Sequence, residues 1–215
     1  MLHIRILILT LDFTSIAVGS VGGALHARRH PRYNYDVVGV LGLALISSLG
    51  GGIIRDVLLQ HGPPLAFVHV SYCYVACLAA ISGLLLATRI GTRTERLMLY
   101  IDAASIASFA VAGAARAESF GLTWLPAVII GIIAAIGGGS IRDVVSGSTP
   151  QVFERGNFYA IAAGLAAAAY LTCLSLHFSS VWCVVSGIVV GFALRILSVE
   201  LDWRTSVLRV ARRIT

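Results

Sequence analysis

The stretch Gly50-Gly51-Gly52-Ile53-Ile54-Arg55-Asp56-Val57 decides how this sequence is read, because it returns as Gly137-Gly138-Gly139-Ser140-Ile141-Arg142-Asp143-Val144. Seven of the eight positions are identical, at a spacing of 87 residues. Each copy ends a long apolar run. Three consecutive glycines weaken a helix, each by about 1 kcal/mol relative to Ala. An Arg-Asp pair this close to apolar sequence is also costly if it faces lipid. The same expense met twice points to the working part of a membrane protein built from two related halves.

Composition sets the class. The 215 residues are 58% hydrophobic and 12% charged, with mean hydropathy +0.89. A soluble domain carries about 25% charged residues, so this chain cannot cover a water-facing surface. It reads as an all-α integral membrane protein. At about 20 residues per spanning helix, the length allows seven spans and no separate soluble domain. The net charge is +6, and all 16 basic residues are Arg. They read as topological signals; nucleic-acid binding would need a basic face with aromatics, which is missing. Cys73, Cys77, Cys173 and Cys183 lie inside apolar runs and read as small packing residues. No metal cluster, nucleophile–base pair or cofactor motif suggests an enzyme, and the glycine motif lacks the Lys-Ser/Thr ending of a phosphate loop.

Taken in order, the expected spans are about 4–27, 36–59, 66–88, 97–117, 122–145, 157–176 and 181–201, followed by a basic tail over 202–215. With a shift of 90, Asp12 falls on Asp102 and Ser15-Ile16-Ala17 on Ser105-Ile106-Ala107. With a shift of 87, the glycine motifs align, as do Pro63 with Pro150 and Tyr72 with Tyr159. The repeat therefore covers three spans, about 4–88 and again about 97–176, and the seventh span stands outside it. Because Asp12 belongs to the repeat, the first span reads as part of the bundle rather than a cleaved leader. Three spans is an odd number, so the second half enters the membrane from the opposite face. Inverted repeats of this kind place a path near the midplane. The inter-span segments 1–2, 3–4 and 5–6 and the tail hold eleven arginines against Arg5 and Arg116 on the other side. That bias puts the N-terminus outside and the C-terminus in the cytoplasm.

Two readings fit the triplets. A helix opened at Gly50, Gly51 and Gly52, and again at Gly137, Gly138 and Gly139, needs water or protein to satisfy the freed backbone, so a break implies a polar path. Its carbonyl ends favour cations and its amide ends anions, with Ser47, Ser48 and Ser140 adding hydroxyls. Alternatively, small residues let another helix approach closely; Gly19-x3-Gly23 and Gly187-x3-Gly191 carry the same pattern. Arg55-Asp56 and Arg142-Asp143 suit either interfacial anchoring or a buried site. Asp12 lies about 12 Å into its span, at 1.5 Å per residue, where Arg55 can reach it. By symmetry Asp102 and Arg142 form the equivalent pair. Both Asp residues are too short to snorkel and read as bundle- or pore-facing. The tail, with Trp203, Arg204, Arg209, Arg212 and Arg213, suits anionic membrane lipid.

At these residues the sequence resembles the prokaryotic branch of the trimeric intracellular cation channel family, whose bacterial members are often labelled glycine transporter domain proteins. The resemblance covers nearly the whole chain. It implies a homotrimer with one pore per protomer, passive passage of K⁺ and Na⁺, and spans 2 and 5 that kink at the glycines to line the pore and gate it. Animal members carry a Lys-Glu-Val motif linked to phosphoinositide binding; this chain has no Lys, so that ligand does not transfer. The alternative is a secondary transporter of a small solute such as glycine, since inverted repeats serve both and an Arg beside each triplet suits a carboxylate.

Overall fold

A computed structural model describes residues 2–30, 32–60, 62–89, 94–153 and 158–203. Eight helices follow one another: α1 (Leu2–Arg28), α2 (Val37–Leu58), α3 (Leu65–Val68), α4 (Val70–Arg89), α5 (Thr94–Ser119), α6 (Trp124–Val145), α7 (Tyr159–Ser175) and α8 (Ser180–Glu200). Six of them are long and apolar enough to cross a membrane, and α7, at 17 residues, is shorter. The expected third span is not one helix. His69 adopts an extended conformation (φ −113°, ψ 104°) and separates the four-residue α3 from α4.

Local chemistry sets the ends. Asp36 caps α2 by accepting the Gly39 amide at 2.8 Å, which satisfies one of the free amides of the first turn. Beyond α2, Gln60 and Gly62 have positive φ and Pro63-Pro64 cannot continue a helix. Gly147, at φ 75°, turns the chain after α6.

The helices form one bundle in which α1 packs on α2, α4 and α5, and α6 packs on α2, α5 and α7. Helix α8 lies against α5 and α7. Chain direction follows from the contacts: Arg116, late in α5, bonds Asp12, early in α1, so α1 and α5 are antiparallel. Alanine dominates the interior, with Ala103, Ala107, Ala110, Ala112 and Ala114 fully buried on α5. Small residues bring backbones close, and packing replaces the hydrophobic effect that lipid cannot supply between helices. The Gly187-x3-Gly191 pair belongs to this interior: methyl groups there would meet Ala166 and Val111 or Ala107 of the same protomer. Large apolar side chains such as Leu78, Phe67 and Trp182 point outward.

The expected break at the triplets is absent. Helix α2 runs as uninterrupted α-helix through Gly50–Gly52, and α6 does so through Gly137–Gly139. The reason is the crossing of the two helices. A methyl on Gly51 would penetrate the Ala134 carbonyl oxygen, and one on Gly138 would penetrate that of Ser47. At Gly50 it would lie 3.3 Å from Gly138 Cα, and at Gly137 3.5 Å from Gly51 Cα. These contacts are reciprocal, position for position, at the spacing of 87. The third glycines differ. A Cβ on Gly52 meets nothing nearer than Arg55 at 3.9 Å, and one on Gly139 meets the Tyr159 hydroxyl at 3.2 Å. The first two glycines of each triplet thus serve close approach, and the third faces a cavity.

Candidate functional site

Two cavities flank the α2–α6 crossing, one toward each end of the bundle. The larger, of about 320 Å³, opens where α1, α6 and α8 end and α5 begins. Asp102, Arg142, Arg195, His26, Ser47 and Gly139 all line it. The smaller, of about 20 Å³, is bounded by Asp12, Arg55, Asp56, Ser48, Gly52 and Tyr72. Adjacent α2 residues therefore face different cavities, Ser47 the large one and Ser48 the small one. Ser140 is half-buried and belongs to neither.

At the small cavity the charges are closed on one another. Arg55 Nη1 donates to Asp12 Oδ1 at 2.7 Å, and Arg116 Nη2 donates to Asp12 Oδ2 at 2.6 Å. The Tyr72 hydroxyl adds a third bond to Asp12 at 3.0 Å. Arg55 also holds its neighbour Asp56, with Nε and Nη2 at 2.9 and 2.8 Å from Oδ1. The other Asp56 oxygen accepts the Leu65 amide at 3.0 Å, at the first residue of α3. Asp12, Arg55 and Asp56 are all at least 97% buried. Buried ions hold only when paired and hydrogen-bonded, and this set meets that condition.

The large cavity repeats the motif and changes its partners. Arg142 Nε and Nη2 donate to Asp143 Oδ1 at 2.9 and 2.6 Å, and Asp143 Oδ2 accepts the Gln151 amide at 3.3 Å. Both motif carboxylates thus tie down the chain that follows their helix while orienting the arginine beside them. Arg142 reaches Ser47 Oγ at 3.5 Å. The expected Asp102–Arg142 bond is replaced: Asp102 accepts from Arg195 Nη2 of α8 at 3.3 Å. Arg195 also stacks over the Tyr159 ring, 4.9 Å from its centre. The difference lies in the third nitrogen and in α8: Arg142 Nη1 turns to Ser47, where Arg55 Nη1 takes Asp12, and α8 brings Arg195 to Asp102.

The shift of 90 that aligns Asp12 with Asp102 also sets His26 against Arg116. His26 Nε2 lies 3.8 Å from Asp143 Oδ1, beyond hydrogen-bond distance. The second strong cation that closes on Asp12 is therefore missing at Asp102, whose side chain keeps 27% of its surface exposed. That substitution accounts for one end being shut and the other hollow. It also predicts an order of stability: Asp102→Asn, at a long and partly solvated bond, should lower the thermal midpoint in detergent much less than Asp12→Asn.

Sequence reasoning missed Arg195, Arg116, Tyr72, Tyr159 and His26 as site residues. Arg195 carried a usable signal, an ionised group inside an apolar span. Tyr72 and Tyr159 stood at matched repeat positions. Arg116 fell in the last turn of the expected fourth span, 97–117, and was counted with Arg5 as an outer-side charge. Among the described residues, no three His, Cys, Asp or Glu side chains converge on a metal position. Of the arginines used for orientation, Arg93, Arg155, Arg204, Arg209, Arg212 and Arg213 lie outside the described residues.

An all-helical bundle with a polar cavity at each end and apolar helices long enough to span a bilayer defines a multi-pass membrane protein of the channel or transporter kind. Comparison with known proteins is specific. The family described as glycine transporter matches the chain twice, over residues 9–88 and 99–175. A UPF0126 membrane protein of Deinococcus radiodurans is 35% identical over 170 residues, covering 79% of this chain and 77% of that protein. The Escherichia coli inner membrane protein YadS is 31% identical over 73% of each chain. Among solved structures, the TRIC trimeric intracellular cation channel orthologue from Rhodobacter sphaeroides aligns with TM-score 0.83 and 28% identity, over 91% of this chain and 98% of that one. A TRIC cation channel solved to explain conductance aligns with TM-score 0.79 and 30% identity, over 94% and 97%. The chain belongs to the trimeric intracellular cation channel family.

Proposed function

We propose that this protein is a homotrimeric channel passing K⁺ and Na⁺ through one pore in each protomer, rather than an enzyme. The observation that carries it is the placement of two polar cavities on opposite sides of the α2–α6 crossing, lined by matching residues of two helices. Such a path suits two inverted three-helix halves around a midplane constriction, with α8 outside the repeat. Trimeric assembly is supported by the trimeric neighbours. The arginine bias supports an inner-membrane orientation with the N-terminus outside, so the large cavity faces the cytoplasm. Ser47, Ser48, Gly52 and Gly139 supply uncharged polar or open wall, and Asp102 is the carboxylate best placed to attract a cation.

Glycine transport is the competing activity. Asp102 and Arg142 line the same cavity and offer opposite charges to a zwitterion. Purified protein in liposomes separates the two. Channel activity gives rapid K⁺ and Na⁺ flux with no organic solute present. Retention of both ions while labelled glycine accumulates down an ion gradient would falsify the channel reading.

A further inference from the structure

We propose that Phe109 is the gate residue, the aromatic septum that separates the two cavities and must move for an ion to pass. The inference rests on the channel reading above and adds the side chain at its narrowest point. Phe109 lines both cavities. It is 6% exposed, so its ring fills the space between them. The ring lies over Gly19 of α1, where a Cβ would come within 2.8 Å of Cε2 and 3.3 Å of Cζ. The shift of 90 sets Phe109 against Gly19 itself. One half thus supplies a ring and the other the vacancy that receives it. Two rings would collide there, and two glycines would leave the cavities joined.

The rest of the partition is rigid. At the α2–α6 crossing the walls are backbone, Gly51 against Ala134 and Gly138 against Ser47, with no room for a methyl group. Widening it there means separating two helices. Phe109 turns on two side-chain torsions, and its displacement toward the large cavity meets open space rather than backbone. An apolar ring between two polar compartments excludes water, and a dewetted constriction stops ions without blocking them with charge.

The experiment is K⁺ flux from liposomes holding the full chain, with assembly checked by size-exclusion chromatography. Phe109→Ala should raise the flux several-fold, Phe109→Leu should raise it less, and Phe109→Trp should reduce it below wild type. If Phe109→Ala does not assemble, the opposed effects of Leu and Trp decide. Flux at the wild-type rate in the assembled variants overturns the gate while leaving the channel standing. Wild type and all variants holding K⁺ and Na⁺ alike overturns the channel reading and the gate with it.

Discussion

Gly51→Ala and Gly138→Ala are each expected to destabilise the protein strongly, lowering the thermal midpoint by several degrees and reducing the yield of assembled protein. Two effects of opposite sign compete. Alanine is the better helix former, by about 1 kcal/mol per position. Against that, the added methyl lies inside the contact distance of a backbone carbonyl on the facing helix. Overpacking a tight interior costs about 1–3 kcal/mol even where side chains can yield, and a backbone oxygen yields less. The clash therefore wins. Gly52→Ala is the internal control, since its Cβ meets only Arg55 at 3.9 Å; it should be neutral or stabilising. A gain in stability for all three would mean that the glycines serve flexibility, and the crossing account would fail. Leucine at Gly51 or Gly138 would disrupt assembly before it tested conduction, whereas Gly52 faces its cavity with room for a side chain.

Asp12→Asn should have the second large effect. Asp12 neutralises Arg55 and contributes to holding Arg116, and its carboxylate accepts three hydrogen bonds at 2.6–3.0 Å. Breaking a buried ion pair from one side costs about 3–5 kcal/mol, because the partner charge stays behind. Here Asp56 still holds Arg55, but Arg116 loses the carboxylate it bonds at 2.6 Å. The variant should fall sharply in thermal stability. Pairing it with Arg116→Met should recover part of the loss, because that removes the stranded cation and leaves an apolar side chain of similar length. A double variant no more stable than Asp12→Asn alone would show that Arg116 is not held mainly through Asp12. Thermal unfolding of the four proteins in one detergent gives the cycle directly.

Much of this architecture was legible in the chain itself. Membrane class followed from charge content, because 12% charged residues cannot solvate a surface. The doubled motif read as two related halves, and the Asp12–Arg55 contact followed from helix rise. Those inferences draw on composition, repetition and reach along one axis, all of which a sequence carries.

Tertiary structure decided the rest. Whether Gly-Gly-Gly opens a helix or lets another helix in depends on what stands opposite, and the facing Ala134 and Ser47 carbonyls lie 83 and 91 residues away from the glycines they meet. Whether Asp102 pairs with Arg142 or Arg195 depends on where α8 packs, and α8 sets Arg195 3.3 Å from that carboxylate. A ring at Phe109 looks like any core aromatic until Gly19 is found beneath it and a cavity on each side. In each case the deciding quantity is a distance between segments remote in the chain, and only the packing of the helices sets it.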